Sequence, residues 1–117
     1  MSITLYGIPN CDTVKKARTW LDQHDRPYEF HDFKKAGISE ALIKAWLKQV
    51  DWEILVNRKG TTWRGLPDER KEAVVDAASA IALMIESPSV IKRPVLVSSK
   101  TVHVGFSDAA YSELDLA

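Results

Sequence analysis

Thr4-Leu5-Tyr6-Gly7-Ile8-Pro9-Asn10-Cys11-Asp12-Thr13-Val14-Lys15-Lys16-Ala17 reads as a strand, a turn and the start of a helix. Residues 3–6 are β-branched, aromatic or apolar, as a strand prefers. Gly7, Pro9 and Asn10 are turn formers, each for its own backbone reason. From Thr13 onward the period becomes helical. Val14, Ala17 and Leu21 share one face, with Trp20 beside them, while Lys15, Lys16 and Arg18 point elsewhere. Cys11, the one cysteine of the chain, therefore stands at or just before a helix N-terminus.

Helix N-termini carry unpaired N–H groups and the positive end of the helix dipole. A thiolate there is stabilised, which suits a nucleophile. Asp12 opposes the effect, because a neighbouring carboxylate disfavours a second negative charge. The alternative is a buried cysteine acting as a small apolar side chain. The turn-then-helix setting favours the nucleophile.

The chain of 117 residues suits one domain with a real core. Lys+Arg and Asp+Glu number 16 each, so no net charge draws it toward nucleic acid or a membrane. A single cysteine excludes an internal disulfide framework and any multi-cysteine zinc site. No metal site or phosphate-loop pattern is present in the spacing. There is no secretory signal pattern and no apolar run of the ~18 residues that span a membrane. A cytoplasmic location is expected, where thiols stay reduced.

Beyond the first helix, residues 27–33 alternate aromatic and polar side chains, the period of a half-buried strand. Strand, helix and strand suggest a parallel βαβ unit. Ser39 is placed to cap a helix running to about Val50, with Ala41, Leu42, Ala45, Trp46 and Gln49 as its stripe. A short helical turn is expected at 51–56. Residues 57–65, with two glycines and a basic, Trp63-containing run, read as a loop. A helix is expected from Leu66-Pro67-Asp68-Glu69 to about Ser87, on Val74, Ala77, Ala78, Ile81, Met84 and Ile85. Residues 90–97 and 101–104 read as a hairpin turning at 98–100, with Pro94 at the start of its first strand. Ser107 caps a last helix over 108–114. The order βαβ, helices, ββα predicts an α/β, thioredoxin-like fold in a single domain, 1–117, with a helical insertion at about 38–88.

The blocks Tyr6 to Ala17, Arg58-Lys59-Gly60-Thr61-Thr62-Trp63-Arg64, Asp76-Ala77-Ala78-Ser79-Ala80, Ile91-Lys92-Arg93-Pro94-Val95-Leu96 and Val104-Gly105-Phe106-Ser107 together resemble one family. It is the glutaredoxin-coupled arsenate reductase (ArsC) family with its Spx/MgsR-like relatives, in its YffB-like branch. The resemblance covers nearly the whole chain. It implies a thioredoxin-like fold with a helical insertion and one reactive cysteine in the first loop. Cys11 matches the nucleophile, and Asn10, Asp12 and Thr13 flank it as substrate-binding candidates. Arg93 and Pro94 match the family's arginine and cis-proline, and Arg93 would supply a fixed cation. Arg58 lies near the second oxyanion-binding arginine, with Arg64 as the competing candidate.

Two departures count. Thr101-Val102-His103-Val104-Gly105-Phe106 holds no third arginine for a tetrahedral oxyanion. Losing one charge-assisted contact costs ~1.5–3 kcal/mol of binding. Cys11-Asp12-Thr13-Val14 also lacks the second cysteine of a Spx thiol switch. The expected function is therefore a glutathione-dependent thiol–disulfide reductase with no bound cofactor and glutathione as co-substrate. Glutaredoxin is a candidate protein partner, and a monomer is expected. The alternatives are an arsenate reductase, and a Spx-like regulator that docks on RNA polymerase without catalysis. His24, His31 and His103 read as packing or surface residues rather than bases.

Overall fold

The computed structural model describes residues 2–99 and 101–114. The chain forms two compact units, one from residues up to 36 and from 93 onward, the other from Gly37–Lys92.

The first unit is built on a mixed four-stranded sheet. Its strands are β1 (Thr4–Gly7), β2 (Glu29–Asp32), β3 (Val95–Val97) and β4 (Val102–Val104). Their order is β2-β1-β3-β4. β1 runs parallel to β2 in the register Thr4 to Glu29 through Gly7 to Asp32. β3 is antiparallel to β1, pairing Tyr6 with Val95, and β4 completes the hairpin, pairing Val95 with Val104. This is the expected βαβ…ββα arrangement. The turn expected at 98–100 includes Lys100, which lies outside the described residues.

α1 (Asp12–Gln23) buries Val14, Ala17, Trp20 and Leu21, the face expected from their spacing. Ile3, Leu5, Ala17, Trp20, Leu21, Leu96 and Tyr111 form the core of this unit. α7 (Asp108–Glu113) is capped by Ser107, whose Oγ accepts from the Ala110 N–H at 3.1 Å.

Two details of this unit carry predictions. α1 ends with Asp25 in the left-handed region at φ 53°, and the Arg26 N–H reaches back to the Leu21 carbonyl at 2.9 Å. That is a helix stop built for glycine. Asp25→Gly should raise stability by about 0.5–1 kcal/mol, read by chemical denaturation. A decrease would show that the Asp25 side chain contributes more than its backbone strain costs.

Tyr111 is 1% exposed, and its hydroxyl has no hydrogen-bond partner among the described residues. Burial pushes the phenol well above its ordinary pKa. Its ring meets Trp20, His103 and Phe106 edge-on. Tyr111→Phe keeps those contacts and removes an unpaired polar atom, so stability should rise by up to about 1 kcal/mol. A loss of stability would reveal a partner for the hydroxyl.

The second unit is helical. It holds α2 (Glu40–Trp46), α3 (Trp52–Leu55), α4 (Thr61–Arg64), α5 (Asp68–Glu72), α6 (Ala77–Glu86) and a 3-10 turn at Pro88–Val90. α2 is capped by Ser39 as expected, and it stops at Trp46 rather than Val50. Its buried residues are Ile43 and Trp46, while Ala41, Ala45 and Gln49 are exposed. Alanine counts as apolar on either face, but leaving it in water costs little, so the bulky side chains decide.

Residues 57–65 are not all loop, since α4 forms one helical turn there. The helix expected from 66 to 87 is two helices. Asp76, in an extended conformation, starts α6 through a capping box with Ser79. The Ser79 N–H and hydroxyl both bond the Asp76 carboxylate, which holds it below the usual carboxylate range. Two backbone N–H groups, of Val75 and Asp76, donate to Ser79 Oγ. α6 buries Ala80, Ile81, Leu83 and Met84, whereas Ala77, Ala78 and Ile85 are exposed.

Candidate active site

The site starts where β1 ends. Gly7 is buried and packs against α1, so close that a Cβ on it would lie 2.9 Å from Val14 Cγ2. The strand therefore meets the helix through a residue without a side chain, and the intervening turn holds Ile8, Pro9, Asn10 and Cys11. Cys11 is the N-cap residue of α1, extended at φ −145° and ψ 123°. Its carbonyl accepts the first helical bond, from the Lys15 N–H at 2.9 Å. Its side chain makes no cap hydrogen bond and its thiol is free and half-exposed. Asn10, Asp12 and Thr13 are exposed around it.

The same end of the sheet receives the other matched residues. The Arg93–Pro94 peptide bond is cis. Tyr6 pairs with Val95, so Pro94 stands one step further along β3, level with Gly7. The Pro94 carbonyl accepts the Gly105 N–H at 2.8 Å. Gly105 sits at φ 86°, a conformation that side-chain-bearing residues rarely adopt. On the other flank the Phe33 N–H donates to the Gly7 carbonyl at 3.1 Å. Register thus brings the Cys11 turn, the half-buried Arg93 and the buried Pro94 to one sheet end.

Arg58 belongs to the helical unit. It is exposed, and its guanidinium lies over the Trp52 ring at 5.4 Å and the Trp63 ring at 5.7 Å. Two aromatic faces hold the group in place while leaving its N–H donors available. Arg58 also lines a cavity of about 240 Å3 with Glu53, Ile54, Val56, Asn57, Lys59 and Lys92. Arg64 is an exposed residue at the end of α4, and its carbonyl accepts from Lys71 Nζ at 3.3 Å. Trp63 stands out in the sequence of that loop, but the part of Trp52 does not, because it lies in a separate helical turn.

The histidines are engaged in packing. His24 stacks on Trp20 at 3.9 Å, with Nδ1 2.8 Å from the Trp20 carbonyl. His31 tilts against Tyr6, and His103 meets the Tyr111 edge. Burial raises the Tyr6 phenol, with a hydrogen bond to Thr4 pulling it down and the Glu29 carboxylate adding to the rise. Among the described residues no group of three His, Cys, Asp or Glu side chains is placed to hold a metal ion. No helix there is long and apolar enough to cross a membrane.

Comparison with known proteins agrees with this arrangement. The solved structure of the YFFB protein is 48% identical, covers 98% of this chain and 99% of its own, and superposes with a TM-score of 0.91. An arsenate reductase (ArsC) related protein from Brucella melitensis is 51% identical over 97% of both chains, with a TM-score of 0.76. The global transcriptional regulator Spx 2 of Lactococcus lactis is 28% identical over 91% of this chain and 80% of its own length. The ArsC family model matches residues 6–114. With that match spanning strand, cysteine turn, helical segment and hairpin, the chain belongs to the ArsC family.

Proposed function

We propose that this chain is a thiol–disulfide reductase that works through Cys11 alone and takes glutathione as its second thiol. The observation that carries the reading is the occupant of the α1 N-cap. Ser39, Asp51, Asp76 and Ser107 all cap their helices with side-chain hydrogen bonds, as N-cap residues usually do. α1, the longest helix described, has a cysteine there that makes no such bond. A position suited to helix stability holds instead a reactive atom, half-exposed at the positive end of the helix.

The chemistry follows from one sulfur. The Cys11 thiolate attacks the glutathione sulfur of a mixed disulfide between glutathione and a substrate thiol, an S–S bond forms between Cys11 and glutathione, and the original S–S bond breaks, releasing the substrate thiolate. The departing thiolate takes a proton from water. A second glutathione thiolate then attacks the Cys11 adduct, releasing oxidised glutathione and restoring the Cys11 thiolate. Arg93 and the backbone at Pro94 orient the incoming group.

The test is intact mass after incubation with oxidised glutathione. One adduct on Cys11, removed by reduced glutathione, is expected. Protein that stays unmodified would overturn the reading. The likeness to Spx 2 favours a second reading, a regulator that docks on RNA polymerase. In that case Cys11→Ser protein would pull down polymerase as well as the wild type does. Arsenate is the alternative substrate for the same cysteine, weakened by the missing third arginine.

A further inference from the structure

α6, at ten residues the longest helix of the helical unit, is apolar on every side. It carries no charged residue from Ala77 to Ile85, and Ser79, the one polar residue there, is engaged in the capping box. Ala80, Ile81, Leu83 and Met84 face inward, yet Ala78, Ala82 and Ile85 form a second stripe that faces water. Ile85 is 41% exposed, and Val75, just ahead of the helix, is 71% exposed. A helix apolar all round belongs between neighbours, not at a surface. Beside the first half of this stripe a cavity of about 460 Å3 opens between α2 and α6. Leu47, Ala77, Ala78 and Ile81 give it apolar walls, and Glu40, Lys44 and Lys48 complete its lining. Glu40 and Lys44 pair with each other at 3.2 Å, while the Lys48 ammonium has no ion pair among the described residues.

We infer that this face binds a second copy of the chain, with the two α6 helices antiparallel. Charge selects that occupant, and so does size. The last turn of α6 has no basic residue to offset the negative end of the helix dipole. It ends in Glu86, which is paired with Arg70 at 2.6 Å and still 64% exposed. The opposite half of the face is the half beside Lys48. Antiparallel pairing sets the C-terminal end of each helix against the Lys48 end of the other, and the two-fold axis makes that contact twice. Packed helices come closest where their side chains are small. Ala78 and Ala82 occupy the middle of the stripe, and the bulkier Val75 and Ile85 lie towards its ends, where crossing helices diverge. Only residues of the helical unit take part. An interface built on one short helix is smaller than the ~800 Å2 per partner of a stable complex. The dimer is therefore reversible, with a dissociation constant on the order of 10–100 µM, and the expected monomer holds in dilute solution.

Sedimentation velocity of the whole chain, from about 5 to 500 µM, spans that range. A reducing buffer removes any disulfide between Cys11 residues of two copies. The average mass should climb from one chain towards two as concentration rises. Ala82→Glu sets a carboxylate in the middle of the face. Position 82 is exposed and glutamate is a good helix former, so the variant should keep the wild-type circular dichroism spectrum and melt. It should associate at least about tenfold more weakly, because its charge is buried without a partner. Lys48→Glu and Glu86→Lys should each weaken association roughly threefold. Their equimolar mixture should recover it, since every altered residue then faces the opposite charge. A chain that stays monomeric at the highest concentration overturns the inference, as does an Ala82→Glu protein that dimerises like the wild type. A mixture no tighter than the separate variants overturns the antiparallel arrangement.

Discussion

Cys11→Ser loses all glutathione adduct and all reductase turnover, while its melting temperature stays the same or rises. The loss is complete because an alcohol is scarcely ionised at neutral pH and cannot form a disulfide. No second cysteine stands in for the first. The stability result is less obvious and more telling. The Cys11 side chain makes no cap hydrogen bond and is half-exposed, so little packing is lost. Serine is a preferred N-cap, and its Oγ can accept from the N–H groups of the first turn. The gain is up to about 1 kcal/mol, or about 4 °C in a domain of this size. Intact mass and a thermal melt on the same protein check both parts. A variant that melts well below the wild type would mean that Cys11 is structural. A residual adduct would place the reaction on another atom.

Gly7→Ala should destabilise the chain by about 1–3 kcal/mol, the usual cost of overpacking a filled interior. The added methyl would sit 2.9 Å from Val14 Cγ2 and 3.8 Å from Phe30 Cε1. Val14 is 0% exposed and β-branched, so it has little room and few rotamers with which to yield. Helix and strand must then separate at the point where the cysteine turn is anchored. Stability by urea denaturation should fall, and the rate of Cys11 alkylation should change with it. Unchanged stability and reactivity would show that Val14 adapts and that the close approach is dispensable.

The sheet unit was largely legible because its signals agree. In residues 4–17 the strand residues, turn formers and helical stripe follow one another without conflict, and the described strand and helix fall where those signals put them. The alternation over 27–33 likewise produced β2. The helical unit was harder to read because alanine, which dominates 77–82, fits either face and either reading of the period. Asp76 is where the single expected helix divides. Asp is a favoured cap, yet beside Val74, Val75 and four alanines the apolar period outweighed it. The contact between α1 and the start of α7 left no such signal. In the sequence Lys15 and Lys16 only point away from the apolar face of α1, and only folding brings Phe106 and Asp108, far along the chain, against Trp20.

The strand order also has a bearing on how the chain is made. β1 precedes the other strands of its sheet in sequence, yet one of its two partners is β3, so Tyr6 cannot meet Val95 until residues 37–92 between them have left the ribosome. Residues 37–92, by contrast, form a unit contiguous in sequence. A nascent chain must hold β1 and its cysteine turn half-paired while that unit takes shape. Pro94 reaches the level of Gly7 only with β3, so the thiol acquires its full setting only after the helical unit has been made.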